Sequence, residues 1–282
     1  MISSLIIDGL ELIATASYGV QSVQGLEHPD KRVTSYDNPG EDGGTLSASF
    51  YGSRVVTLSG IVYGNGQPSV HEASRKALAL KCAINRDAFG YPILKTIQVT
   101  TLAGAQFVFY AEVQKLNNPM GRGTTSPFLI NLVAPDHRLY TVGQSTTGRI
   151  SRPSGGGFLM PFLSPFFSGA STGGAATSTN SGGVLTYPVI HLRDQLTTPY
   201  LINNTTGKTM SLDTTLVGGS DLIIDMAGKT IMLGTQSYLF AKSTDSDWWG
   251  LNPGANSFSF STSDTGDTGT AEILWYNAEL GI

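Results

Sequence analysis

The side chains able to do chemistry are few and scattered. The histidines are His28, His71, His137 and His191. None has a second His, a Cys or a carboxylate at a metal-ligand spacing. Glu72 beside His71 and Asp136 beside His137 project the wrong way for shared chelation. The single cysteine, Cys82, lies among Lys81, Ala83 and Ile84 with no histidine nearby to activate it, so a buried structural thiol is expected. A lone cysteine also excludes an intrachain disulfide and a cysteine-rich zinc site. Asp264-Thr-Gly-Asp267-Thr-Gly repeats a triplet known from aspartic proteases. There the two carboxylates come from separate lobes and share a proton, whereas here they fall in one polar turn between Phe260 and Ile273, which reads as a hairpin loop. A calcium loop on Asp264, Asp267 and Glu272 lacks the alternating oxygen ligands of known loops. The remaining acids Asp213, Asp221, Asp225, Asp245 and Asp247 show no spacing that singles out a glycosidase pair. Phosphate-binding glycine loops are absent. No catalytic, cofactor-binding or metal residue is therefore assigned.

The most suggestive local feature is Trp248-Trp249, set in the polar stretch before the turn at Asn252-Pro-Gly254. Exposed aromatic rings stack on sugar faces, so Trp248 and Trp249 are the candidate carbohydrate-binding residues. Against that stands simple alternation, which puts one Trp in a core and the other at the surface. Asn203-Asn-Thr205 matches a glycosylation acceptor only formally. The N-terminus, MISSLIIDGLEL, has no basic residue ahead of its apolar stretch, and Asp8-Gly9 interrupts it. The expectation is no secretory leader and no membrane insertion.

Composition narrows the elements that could hold such residues. The 282 residues are 40% apolar and only 13% charged, with 34 glycines. That mixture disfavours helical bundles and disordered chains and favours many short strands joined by turns. The net charge is −4, with 11 basic and 11 acidic residues before Thr141 and 6 basic and 10 acidic after it. Neither half is basic, so a nucleic-acid clamp held by counterion release is not expected.

The first half mixes strands with one helix. Leu5-Ile6-Ile7 is a strand, Asp8-Gly9 a hairpin turn, and Leu10–Tyr18 the return strand. Gly25–Gly44 is a polar, glycine-rich extended loop or arm. Arg54–Tyr63 is a strand with apolar residues on both faces. Ser69 and Glu72 form a capping box opening a helix from about Val70 to Asn85, whose apolar stripe is Ala73, Ala77, Leu80 and Ile84. Strands Ile93–Thr101 and Gln106–Lys115 join across Ala103-Gly104, and Ser126–Ala134 follows.

Composition shifts after Tyr140, dividing the chain into residues 1–141 and 142–282. No Asp, Glu, Lys or Arg occurs from Pro153 to Leu192. Phe158, Leu159, Phe162, Phe166 and Phe167 there demand burial in a core or interface, while Ser168–Gly183 reads as a linker-like tract. Thereafter strands are expected at 187–192, 199–203, 208–213, 221–226, 229–233, 257–261 and 270–276, the spacing of an antiparallel sandwich.

Two groups of residues together carry a family likeness. In the first half these are the Asp8-Gly9 strand, the glycine-rich arm, Arg54-Val-Val-Thr-Leu-Ser-Gly-Ile-Val and the helix with Arg75 and Leu78-Ala-Leu80. In the second they are Tyr187-Pro-Val-Ile-His-Leu, Thr198-Pro-Tyr-Leu-Ile-Asn-Asn-Thr-Thr-Gly207, Asp221-Leu-Ile-Ile-Asp225, Lys229-Thr-Ile-Met-Leu and Trp249-Gly-Leu-Asn-Pro-Gly-Ala-Asn256. This succession resembles the distal tail proteins of long-tailed, non-contractile bacteriophages. The resemblance implies a mainly β chain with one helix. Residues 1–141 would be a tail-tube-like β-barrel or sheet domain that builds a ring, and 142–282 a galectin-like antiparallel β-sandwich. It implies a structural, non-enzymatic role at the virion tail tip, for a chain made in the host cytoplasm. The partners implied are copies of itself (usually six), the tail tube protein, the tail-tip hub or a tail-associated protein and, in some phages, receptor-binding proteins. DNA would pass through without specific binding. The family often has Gly near Asp194, which puts a turn geometry in question. The resemblance carries over no catalytic residue and no cofactor. The alternative is a carbohydrate-binding module protein recognising cell-surface glycans, supported by Trp248-Trp249.

Overall fold

The structure is a computed structural model and describes residues 2–13, 15–120, 123–154, 157–158, 168–169 and 173–282. The chain divides into two compact units, residues 1–142 with 279–282, and residues 143–278. Both are built from antiparallel strands, with one α-helix among the described residues.

The longer strands are numbered in chain order. The first unit holds β1 (Ile2–Ile7), β2 (Tyr18–Gln24), β3 (Arg54–Tyr63), α1 (Pro68–Cys82), β4 (Lys95–Thr101), β5 (Gln106–Asn117), β6 (Thr125–Ala134) and the start of β7 (Leu139–Ser151). Pairing runs from Leu10–Glu11 through β1, β4, β5, β6 and β3 to β2. Strand β5 is shared. Its first half, Gln106–Ala111, pairs with β4, and its second half, from Glu112, pairs with β6, with a register shift between Val113 and Lys115. A strand that changes partners midway folds the ladder over on itself. One core results, with Leu5, Ile7, Ile97, Val99 and Phe109 on one side and Val56, Leu58, Val62, Phe128, Ile130 and Leu132 on the other. Among the described residues strand β2 pairs with β3 alone, so of the two expected forms this domain takes the open sheet and closes no barrel there.

Asp8 (φ 48°) and Gly9 (φ 83°) both take the left-handed backbone that a two-residue hairpin turn requires. The return strand expected to reach Tyr18 is only Leu10–Glu11, because Tyr18–Gln24 pairs with β3 instead. The helix also differs from expectation. Pro68, whose fixed φ suits a first turn, starts it, and no side chain caps it. The Ser69–Glu72 capping box does not form; Glu72 pairs with Lys76 at 2.9 Å. The buried face is His71, Ser74, Leu78 and Cys82, while Leu80 and Ile84 are 74% and 55% exposed. The stripe read as core therefore points outward. Packing against β3 and β5 selected a face whose His71 Nε2 lies 2.9 Å from Ser126 Oγ, and onto which Tyr18 Oη donates to Ser74 O at 2.7 Å.

The second unit holds β8 (Ala175–Asn180), β9 (Val189–Arg193), β10 (Tyr200–Asn203), β11 (Lys208–Ser211), β12 (Asp221–Asp225), β13 (Thr230–Leu233), β14 (Gly254–Ser261) and β15 (Thr270–Glu279). One sheet runs β15–β9–β12–β13, and the other β8–β14–β10–β11. Alternation aims Ile190, Leu192, Leu222, Ile224 and Ile273 inward from the first, and Leu201, Met210, Phe258 and Phe260 inward from the second, into a single core. The tract read as linker-like contributes β8, whose Ala, Thr and Ser residues pair with β14 in full register from Ala175 to Asn180. The burial expected of Phe158, Leu159, Phe162, Phe166 and Phe167 concerns side chains outside the described residues.

Candidate functional site

Buried polar side chains in the second unit go into holding turns. Asn203 is wholly buried; its Oδ1 accepts from Thr205 N (3.1 Å) and Thr206 N (3.2 Å), and its Nδ2 donates to Gly250 O (3.4 Å). The formal glycosylation acceptor is thus a core turn residue. Asn256 accepts from Asn252 N (3.2 Å) and donates to Asn252 O (2.8 Å) and Gly254 O (3.0 Å), closing the Asn-Pro-Gly turn. Asp225 Oδ1 accepts from Ala227 N and Gly228 N. Asp194 takes φ 64°, a backbone conformation glycine adopts without cost, and its Oδ1 accepts from Gly219 N at 3.2 Å.

Several of the acids weighed for chemistry are similarly engaged. Asp267 is buried and accepts from Thr197 N (2.7 Å) and Thr197 Oγ1 (3.1 Å), whereas Asp264 accepts from Gly266 N. Glu272 pairs with Arg193 and accepts from Thr146 Oγ1. These contacts hold its carboxyl below the ordinary carboxylate range. Asp221 sits 3.0 Å from His191 Nδ1 and 3.7 Å from Arg193 Nε, completing a charged ladder across β12, β9 and β15. Among the described residues no group of three or more His, Cys, Asp or Glu could hold a metal ion. Among them, too, no helix is long and apolar enough to cross a membrane.

Trp249 is 1% exposed and stacks on Phe258, ring centroids 5.9 Å apart, inside the second core. Trp248 is half-buried and packs against the same core. The pair therefore presents no two-ring platform. Cys82, the last residue of α1, is buried, and burial pushes its thiol up to about 11.

What the molecule presents instead is apolar surface. Lys31–Arg32 pairs with Phe50–Tyr51, and Ser35–Asp37 with Gly44–Leu46, so the expected arm is a narrow hairpin spanning residues 31–51. Val33, Tyr36, Leu46 and Phe50 on it are half or more exposed. A two-stranded ribbon cannot bury such side chains by itself. At its root Tyr51 stacks on His137 (4.9 Å between centroids), with His28 at 5.3 Å on Tyr51 and Lys31 Nζ 5.5 Å from the ring. Beside that root lies Arg54, almost fully buried, which sequence reading placed merely at the start of a strand. Its guanidinium donates to the carbonyls of Gly25 and Glu27 (2.7 Å each), His137 (2.8 and 3.1 Å) and Leu280.

Comparison with known proteins finds likeness to phage tail components. Residues 181–275 match the family model of the siphovirus-type tail component, C-terminal domain. No curated protein matches the sequence. Among solved structures the chain is similar to the Dit protein of phage SPP1, described as a paradigm of hub adsorption apparatus in phages infecting Gram-positive hosts. The two are 16% identical over 98% of both chains, with a TM-score of 0.67. It is also similar to a chain of the phage P2 baseplate in its activated conformation with calcium (9% identity, 100% of both chains, TM-score 0.55). The strontium form of that baseplate matches at 9% identity over 96% of this chain and 97% of that one, TM-score 0.51. The resemblance to the distal tail proteins is thus shown, by sequence over residues 181–275 and by fold along 98% of the chain.

Proposed function

We propose that this chain is a structural component of a phage tail tip: a distal tail subunit that assembles with copies of itself, six in the family's usual ring. That ring joins the tail tube protein to the tail-tip hub and to the receptor-binding apparatus, and leaves a channel for DNA. Residues 1–141 build the ring, and residues 142–282 form an outward-facing, galectin-like sandwich. The observation that carries the reading is the match of residues 181–275 to a siphovirus-type tail component, within a fold likeness that covers the SPP1 Dit chain almost end to end. The chemistry of the surface supports it. The arm of residues 31–51 offers apolar side chains that a single copy leaves in water, and a closed cyclic oligomer covers such surface without leaving a free end. A chain with a net charge of −4 and no basic half lets DNA pass rather than grip it.

Light scattering on the purified chain tests this, together with negative-stain images. The expected result is a mass of several copies and annular particles with a central hole. A chain that stays single-copy at high concentration would count decisively against the ring.

A further inference from the structure

The outward stripe of α1 leads straight into a second apolar feature. Residues 86–92 close a tight loop held almost entirely by its own polar groups. Asp87 Oδ1 accepts from Phe89 N (2.9 Å) and Tyr91 N (2.8 Å), and Asp87 N donates to Tyr91 O (2.9 Å). Gly90 N donates to Asp87 O (3.1 Å), and Arg86 Nη1 to Gly90 O (2.7 Å). On this frame Phe89 is 86% and Tyr91 69% exposed, flanked by the exposed Leu80, Ile84 and Ile93. Aromatic side chains on a pre-ordered loop bind with little further loss of conformational freedom, and a stripe that the fold leaves in water marks a contact.

The complementary surface lies in the same unit. Thr101 and Leu102 line an open groove of about 590 Å³ together with Val20, Val23, Leu26 and Ile282. One of its walls is β2, whose second edge has no strand partner among the described residues. Among the described residues the only charged side chain lining the groove is Glu27, opposite in sign to Arg86 at the base of the loop. Loop and groove sit at opposite ends of β4, seven residues long, or roughly 20 Å apart at strand rise. Within one copy the loop cannot reach the groove. Between copies it can, and a knob and a hole on different parts of one surface make a head-to-tail contact, the kind that closes rings.

We propose that Phe89 and Tyr91 of one copy seat in the groove lined by Val20, Val23, Leu26 and Leu102 of a second copy, with Arg86 directed toward Glu27. The proposal rests on the self-assembly reading above and names the surfaces that perform it.

The test uses the full chain and exposed positions, so that folding is left intact. Phe89→Ser with Tyr91→Ser, and separately Leu102→Arg, are expected to weaken self-association by about 100-fold or more, the scale of losing central aromatic anchors, read by sedimentation over a concentration series. The single variants Phe89→Cys and Leu102→Cys are then mixed under mild oxidation. The mixture is expected to give a disulfide-linked pair that neither variant gives alone, since native Cys82 is buried. If the wild type assembles but both surface variants assemble equally well and the mixture does not cross-link, this contact is overturned while the ring reading stands. A wild type that never assembles overturns both.

Discussion

Arg54 shows how a single residue can organise a region without any chemistry of its own. Its buried guanidinium gathers the carbonyls of Gly25, Glu27, His137 and Leu280, segments far apart in sequence. Arg54→Met leaves those acceptors buried without a donor and is expected to cost about 3 kcal/mol of stability. Arg54→Lys is expected to recover part of it, because an ammonium cannot fork to opposite sides. Denaturant unfolding of the three proteins measures both. His137, stacked on Tyr51, gives a second, pH-dependent test. Burial first, and then Arg138 and Arg54 against the opposing pull of Asp136, hold its imidazole below the ordinary histidine range. A folded-state histidine that resists protonation loses stability as pH falls through its unfolded value, near 6.5, and levels off below the folded one. The wild type is therefore expected to melt progressively lower as pH falls below the unfolded histidine value, and His137→Gln to show a flatter profile there.

At the scale of elements, turns are the most tightly specified parts. Asn203, Asp225 and Asn256 each use a side chain to fold the backbone beside it. Asp194 fills a left-handed position at φ 64°. Asp is among the residues that tolerate such a φ. The sequence patterns that carry the likeness are thus conformational devices. The tandem tryptophans separate along the same lines. Trp249 is a core residue and Trp248 half-buried at its margin. Trp249→Ala is expected to cost about 3–5 kcal/mol through the cavity it leaves, and Trp248→Ala less than half of that, as calorimetry of the two variants would show. Equal, small losses would contradict the placement of Trp249.

For the whole molecule the balance of charge and apolar surface sets behaviour. With 13% charged residues, and with exposed apolar side chains on the 31–51 hairpin and the 80–93 segment, association is expected to rest on desolvation more than on ion pairs. Raising salt from about 0.1 M to about 1 M, which shortens the screening length from about 10 Å to about 3 Å, is expected to leave the assembled mass unchanged or increased. Dissociation on adding salt would show that charge, not apolar contact, holds the copies together.

Strand alternation and turn residues let the sequence determine nearly every long strand of the second unit. Period-two patterns such as Asp221-Leu-Ile-Ile-Asp225, and Phe258 and Phe260 set between serines, follow directly from one buried face per sheet. It also determined the Asp8-Gly9 hairpin and the resemblance itself. Four things were decided only by tertiary packing. The helix carries two usable faces, and contact with β3 and β5, not periodicity, chose the one bearing His71 and Ser74 over the one bearing Leu80. The Ala/Thr/Ser run at 175–180 has weak strand propensity and becomes a strand because β14 offers it a complete ladder. Arg54 and the 86–92 loop could not be read at all. A hydrogen bond to a distant carbonyl leaves no mark in local pattern, and an apolar residue looks the same in sequence whether its own core buries it or it waits for another copy.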